Sequence, residues 1–141
     1  MRQESGRSMI EIIGVISIMA LITAGAFVLI RNSMAAQRRS RIMDDVSKIV
    51  TGVRSLYAEY DTLETLDGAG ALAAMSVDAN GPDGVTYSVS VDNHNNAYDR
   101  FVVTVSGLST KDCTVFKIQT WTDAVENPTC SGGELEITYD K

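Results

Sequence analysis

The sequence predicts an α+β protein in which a long, membrane-rooted N-terminal helix carries an antiparallel β-sheet head on its C-terminal half. Three observations support this fold class. Residues 9–30 are almost wholly apolar, residues 42–60 repeat apolar side chains at helical spacing, and short alternating segments follow residue 84. The chain has 141 residues, which is enough for one domain and leaves no room for a second substantial one.

Residues 9–30 are predicted to form a helix that spans a bilayer. Glu11 is the one charged residue in this run of 22. At ~1.5 Å per residue the run covers ~33 Å, and a bilayer core is ~30 Å thick. Neither proline nor glycine occurs between Gly25 and Gly52, so no local signal ends the helix at the membrane edge.

A second, amphipathic half of the same helix is predicted from residue 42 onward. Apolar residues recur there at spacings of 4, 3, 4, 3 and 4, and two further residues widen the stripe. The stripe consists of Ile42, Val46, Ile49, Val53, Leu56 and Tyr60, with Val50 and Tyr57 beside it. One continuous helix is therefore expected from about Met9 to about Tyr60, with its second half packed against a head.

The remaining residues predict the sheet of the head. Residues 66–75 favour a short helix, and Asn80–Gly84 is a turn cluster. Alternation predicts strands near residues 85–91, 101–105 and 135–139. Residues 108–121 fit either a short helix that places Cys113 and Phe116 inward or a strand with alternating Thr114, Phe116 and Ile118; a helix capped at Ser109 or Thr110 is favoured.

Charge and cysteine content indicate which partners and which cellular compartment suit the head. Residues 1–48 hold seven Lys/Arg against four Asp/Glu, a net charge of +3, whereas residues 49–141 hold five against fourteen, a net charge of −9. An acidic head is a poor partner for nucleic acid. Two cysteines downstream of a membrane segment, Cys113 and Cys130, favour a disulfide formed in an oxidising compartment, worth ~3 kcal/mol for a loop of this length. Two unrelated buried thiols are the alternative.

The segment from Gly6 to Val15 reads GRSMIEIIGV. It resembles the class III signal peptides of the type IV pilin and pseudopilin superfamily, and residues 53–58 with the short leader look more like type IVb pilins than type IVa. The resemblance implies the pilin fold, cleavage by a prepilin peptidase between Gly6 and Arg7, and methylation of the new N-terminal amine. Glu11 then becomes the fifth residue of the mature chain.

The same resemblance implies the domain organisation and the partners. Residues 1–6 are a leader, residues 7–32 a transmembrane and filament-core helix, and residues 33–141 a periplasmic head that includes the amphipathic half of the helix. The partners are inner-membrane lipid before assembly, prepilin peptidase, inner-membrane assembly machinery, and identical subunits in an extracellular helical filament. Glu11 is expected to pair with the N-terminal amine of a neighbouring subunit. The alternative is that Glu11 lies at the headgroup level and needs no partner.

Other chemistry is not predicted. No catalytic constellation, cofactor or metal site stands out, and the lone His94 is expected in a solvated loop. The cluster of Asp78, Asn80 and Asp83 lacks the spacing of a calcium-binding EF-hand loop, and turn chemistry explains it better. The arginines that follow the apolar run, Arg31, Arg38, Arg39 and Arg41, would face the cytoplasm by the positive-inside rule, whereas the signal motif and the cysteines place them in the periplasm.

Three rival functions remain open. A pseudopilin of a type II secretion system shares every N-terminal feature. A secreted periplasmic protein would be cut by signal peptidase after Ala26, but residues 27–30 continue the apolar run past that site and Glu11 interrupts its start. A single-pass anchored enzyme would need a catalytic group that the sequence does not display.

Overall fold

A computed structural model describes the backbone of residues 4–141 and the side chains of residues 8–141. The helices are α1 (Glu4–Leu56), α2 (Gly68–Ala74) and α3 (Thr110–Ile118). The strands are β1 (Thr86–Asp92), β2 (Arg100–Ser106), β3 (Thr129–Ser131) and β4 (Glu134–Asp140), and two 3-10 turns lie at Pro82–Gly84 and His94–Asn96. The chain divides into two compact units, Met1–Arg38 and Arg39–Lys141. The second unit, Arg39–Lys141, is called the head below.

The predicted continuous helix is confirmed as α1, but it ends at Leu56 and not at about Tyr60. Residues 57–59 form a turn that is closed by a hydrogen bond from the amide of Tyr60 to the carbonyl of Tyr57, at 3.1 Å. The predicted short helix in residues 66–75 is also confirmed, as α2.

The four strands form one antiparallel sheet in the order β1-β2-β4-β3. Val103 on the central strand β2 is paired with Val89 on β1 and with Ile137 on β4, so the inward side chains of three strands line up. The chain passes from β2 to β4 through α3 and β3, which places α3 beside the sheet.

The core of the head lies between one face of this sheet and the part of α1 that belongs to the head. Alternate residues of β1 and β4 are buried, whereas their neighbours on the outer face are mostly exposed serine, threonine and glutamate. The fully buried members are Ile42, Val46, Ile49, Val53, Leu63, Val85, Phe101, Val103, Val105, Phe116, Leu135 and Ile137. The α+β layout predicted from the sequence is therefore present.

Two residues of the predicted stripe are not in the core. Leu56 is 41% exposed and Tyr60 is 57% exposed. At about 100° per residue, Leu56 lies about 60° from the centre of the buried stripe, at the last residue of α1. Tyr60 follows the end of α1, so helical spacing no longer places it on that face. Leu63, in the segment after the helix, is fully buried.

Helix α3 resolves the ambiguous segment 108–121 in favour of a helix. Ser109 caps it, because its hydroxyl oxygen accepts a hydrogen bond from the amide of Asp112 at 3.2 Å. Cys113 and Phe116 point into the core as predicted, whereas Ile118 at the end of the helix is 81% exposed. A strand would have buried Phe116 and Ile118 on the same face.

Candidate functional site

The apolar part of α1 has no partner inside the chain. Every large apolar side chain from Met9 to Ile30 is between 53% and 75% exposed, on all sides of the helix. Within the described residues this is the one helix that is long and apolar enough to cross a membrane. A helix that is apolar all round needs an apolar environment, which lipid or other helices can supply.

The two hydroxyl side chains of this segment are satisfied within the helix. Ser17 Oγ donates to the carbonyl of Ile13 and Thr23 Oγ1 donates to the carbonyl of Met19, both at 2.8 Å. Neither hydroxyl therefore needs water, which suits a segment that lies in lipid or among helices.

Glu11 is the remaining polar side chain of the segment and its one charge. Within residues 8–141, Glu11 has no hydrogen bond or ion pair. Gly14 lies one turn further on the same face, and the space around its Cα is open. The site thus combines an unpaired carboxylate with a surface that another helix can approach closely.

The predicted cleavage position between Gly6 and Arg7 precedes Ser8, the first residue whose side chain the structure describes. The backbone of both residues belongs to α1, which begins at Glu4. Residues 1–3 of the predicted leader lie outside the described residues. Processing at Gly6 and Arg7 therefore stays a prediction.

The C-terminal end of the apolar run is marked by Arg31. Its guanidinium carbon lies 4.5 Å from the centre of the Phe27 ring, one turn earlier on the helix. This cation–π contact places the charged group of Arg31 over the face of an aromatic ring at the end of the apolar run.

In the head, the predicted disulfide between Cys113 and Cys130 is present. Their Cα atoms are 5.6 Å apart. The bond joins α3 to β3, the short edge strand of the sheet. It therefore holds both ends of the segment between α3 and the last strand.

A buried ion pair in the head was not predicted from the sequence. Arg39 Nε donates to Asp112 Oδ1 at 2.8 Å, and Ser109 Oγ donates to Asp112 Oδ2 at 2.8 Å. Asp112 is only 5% exposed, so its charge depends on these partners. The contact ties the first turn of α1 within the head to the N-terminus of α3.

The other polar candidates act as turn residues. Asp78 Oδ1 accepts a hydrogen bond from the amide of Asn80 at 2.9 Å, which is the turn chemistry expected for this cluster. His94 is exposed in a 3-10 turn. In the part of the chain that the structure describes, no group of three or more His, Cys, Asp or Glu side chains could hold a metal ion.

No family model, curated protein or solved structure matches this chain. Function is therefore inferred from the residues of the chain itself. They offer an apolar helix with one carboxylate that has no partner among residues 8–141, followed by a disulfide-bonded α+β head. This arrangement can insert into lipid and can associate with other helices.

Proposed function

We propose that the chain is a structural subunit of a type IV pilus that polymerises through its N-terminal helix. The observation that carries this proposal is the exposed apolar segment of α1, with Glu11 near its start and without a partner among residues 8–141. Prepilin peptidase cuts between Gly6 and Arg7. The head lies in the periplasm while the helix is in the inner membrane, and on the cell surface after assembly.

The energetics of the apolar segment support this proposal. Fourteen large apolar side chains between Met9 and Ile30 are more than half exposed. If each gains ~1 kcal/mol on burial, leaving the segment in water costs on the order of 15 kcal/mol. Typical domains are stable by only ~5–15 kcal/mol, so the segment needs an apolar environment throughout its existence. A bilayer supplies it before assembly and a bundle of identical helices supplies it afterwards.

Glu11 favours the bundle over lipid as the final environment. A carboxylate deep in a bilayer costs a few kcal/mol unless it finds a partner. Cleavage after Gly6 creates an amine at Arg7, four residues before Glu11. In a bundle of staggered helices, the amine of one copy neutralises Glu11 of the next, and the open face at Gly14 lets the backbones approach.

The disulfide between Cys113 and Cys130 supports a head that lies in an oxidising compartment, because such bonds persist outside the cytoplasm. Arg39 bears on the conflict with the positive-inside rule. Its charge is paired with the buried Asp112 in the head, so it is part of the fold of that domain. The position of Arg39 is thus explained by the fold of the head, and this arginine need not indicate the cytoplasmic side of the membrane.

The intact mass of the mature protein tests the processing step. We expect a chain that begins at Arg7 and carries one methyl group. Gly6→Leu should remain at precursor mass in the membrane, whereas Gly14→Leu, a matched change outside the cleavage position, should be cut as in the parent. A mature chain that begins at Phe27 would establish the ordinary signal-peptide hypothesis instead.

A pseudopilin of a type II secretion system is the alternative within the same superfamily. Electron microscopy of sheared surface fractions separates the two, because a pilus subunit forms long filaments on cells at native expression. A processed and methylated chain without such filaments would favour the pseudopilin.

A further inference from the structure

A cavity of about 340 Å³ lies between α2 and β1, the edge strand of the sheet. Its walls are mostly apolar, with Leu72 and Ala73 from α2, Val77 from the segment after that helix, and Tyr87 and Val89 from β1. Leu72 and Val89 are buried in the core, whereas Ala73 is exposed at the opening. The cavity therefore has a fixed floor and is reached from solvent, and it belongs wholly to the head.

The course of the chain along the edge of β1 explains why the cavity is there. The amide of Tyr87 donates to the carbonyl of Ala79 at 2.8 Å, which covers the start of this edge. Two residues before Ala79, Val77 belongs to the end of α2, because its amide donates to the carbonyl of Leu72 at 3.0 Å. The edge beside Val89 is therefore left without a neighbouring strand, and the cavity occupies that place.

The amide of Val89 is a buried donor that faces this gap. In an antiparallel pair, the amides of alternate residues point to the same side of the strand, and the amide of Tyr87 points away from β2. The amide of Val89 does the same. Val89 is 7% exposed, and within residues 8–141 its amide has no acceptor outside the ladder. Buried backbone donors are nearly always paired, so this one calls for an acceptor from another molecule.

Gly68 limits how far a partner can extend along this edge. The carbonyl of Val89 lies so close to Gly68 that any side chain at position 68 would clash with the carbonyl oxygen. A long added strand is therefore blocked beyond Val89. The opening suits a short extended segment, with one carbonyl for the amide of Val89 and one apolar side chain for the cavity.

The surroundings of the cavity are acidic. Residues 55–99 contain eight Asp/Glu and no Lys or Arg. Asp78 lines the cavity and Asp67 directly precedes α2. Both side chains are exposed, and neither forms an ion pair within residues 8–141. A negative potential around an apolar opening favours a partner that carries positive charges beside its apolar side chain.

A second copy of this chain does not supply such a segment. From residue 8 onward, its Lys and Arg residues lie on α1, α3 and β2 or at Lys141. The carbonyls of a helix are bonded within the helix, and β2 is paired on both sides. The amide of Lys141 is bonded to the carbonyl of Asp99 at 2.9 Å. The chemistry of the cavity therefore points to a different protein.

We infer that this cavity binds a short extended peptide segment of a partner protein, in which an apolar side chain lies between basic residues. The apolar side chain fills the cavity, and a backbone carbonyl beside it accepts the hydrogen bond from the amide of Val89. The basic side chains reach Asp67 and Asp78. Such binding does not require filament formation, so it goes beyond the proposed function.

Peptide binding to the full-length protein in a non-ionic detergent tests this site. The probe is a capped, fluorescently labelled pentapeptide that alternates lysine and valine, and its fluorescence anisotropy measures binding at low salt. Ala73→Phe fills the cavity from an exposed position and should weaken binding at least about tenfold. Ala74→Phe, at the exposed neighbour that does not line the cavity, is the matched control and should bind like the parent.

Charge and hydrogen exchange give two further readouts. Asp67→Asn and Asp78→Asn should each weaken binding about threefold, and asparagine at position 78 keeps the side-chain oxygen that holds the turn. Glu136→Gln, on the exposed outer face of the sheet, should leave binding unchanged. Bound peptide should slow hydrogen exchange at the amide of Val89 at least about tenfold.

The control peptides and the competing occupants decide the outcome. Replacing the valines by glycine, or the lysines by glutamate, should abolish binding. Failure of the lysine–valine peptide to bind the parent would overturn the inference, as would equal binding by Ala73→Phe. A free alkylamine that binds as tightly as the peptide would contradict a peptide site, and self-association that the peptide disrupts would assign the cavity to a second copy. Filaments without peptide binding would refute this site and leave the proposed function intact.

Discussion

The two units of this chain use apolar residues in opposite ways. From Ser8 to Arg38, large apolar side chains are exposed on every side of the helix. In the head, the same residue types alternate with polar ones, and most of them are buried against the sheet. The head therefore completes its core within one chain, whereas the N-terminal unit needs lipid or other chains for the same purpose.

Their charged groups differ in the same way. In the head, Arg39 pairs with Asp112, and Arg100 contacts both Glu126 and Asp140. In the N-terminal unit, Glu11 has no partner among residues 8–141. A change in the head should thus alter its stability, whereas a change in the N-terminal unit should alter association. Trp121 is the only tryptophan and packs against Phe116, so its fluorescence reports on the head in the full-length protein.

The largest effect is expected from a charge placed in the core of the head. Val53 is fully buried between α1 and the sheet, so Val53→Asp should lower the free energy of unfolding by more than about 4 kcal/mol. Leu56→Asp, one turn away and 41% exposed, should change it by less than about 1 kcal/mol. Denaturant unfolding followed by Trp121 fluorescence measures both. Equal losses would show that the boundary between core and surface is misplaced.

A smaller loss is expected from breaking the buried ion pair. Asp112→Ala leaves Arg39 without its carboxylate and should cost about 3 kcal/mol of head stability. Asp44→Ala is the matched control. Asp44 raises the pKa of Lys48 by a hydrogen bond and by its charge, but both side chains are exposed and solvent screens their interaction, so the free energy of unfolding should not change measurably. A loss below 1 kcal/mol for Asp112→Ala would mean that the pair does not hold α3.

Removal of the disulfide should have a similar or slightly smaller effect. The double change Cys113→Ala and Cys130→Ala should lower the free energy of unfolding by about 3 kcal/mol, because the unfolded chain regains the freedom of the closed loop. Reductant should destabilise the parent by a comparable amount and leave the variant unaffected. A variant that also loses stability on reduction would point to another redox-sensitive group.

The last effect on stability is confined to alkaline pH and is absent at neutral pH. Burial raises the pKa of Tyr139 from 10.0 to about 12, with a smaller opposing influence of Arg54. The head favours the protonated phenol, so this contribution is complete below pH 10 and is lost as the pH rises toward 12. The loss amounts to at most about 3 kcal/mol. Tyr139→Phe should flatten the decline between pH 10 and 12, and identical pH profiles would contradict this assignment.

The parts of the fold that the sequence predicted are those set by local pattern. Helical spacing in α1 and alternation around Val89, Val103 and Ile137 depend on neighbours within a few residues, and burial followed that pattern. Strand β3 was missed because three residues are too few to show alternation. Gly132 and Gly133, which both have positive φ in the turn before β4, were the available signal for a hairpin there.

Features that depend on distant contacts could not be predicted. The residues of the Arg39–Asp112 pair are 73 positions apart, and nothing local selects one acidic residue as the partner of that arginine. Leu56 was expected in the core because periodicity gives the direction of a side chain but not how far the head extends over the helix. The candidate site could be predicted more readily from the sequence, because the apolar run and the single charge of Glu11 are properties of composition.

The central claim is that Glu11 serves association and not folding of the head. Glu11→Ala should give membrane-inserted protein whose Trp121 unfolding midpoint equals that of the parent, with fewer than about a tenth of the filaments, because losing ~1.4 kcal/mol per contact is a tenfold effect. Glu11→Gln, which keeps the shape without the charge, should behave alike, and Glu11→Asp should be intermediate. Electron microscopy of sheared fractions beside immunoblots of membranes makes the measurement. Abundant filaments from Glu11→Ala would contradict the account and would show that apolar packing alone drives assembly.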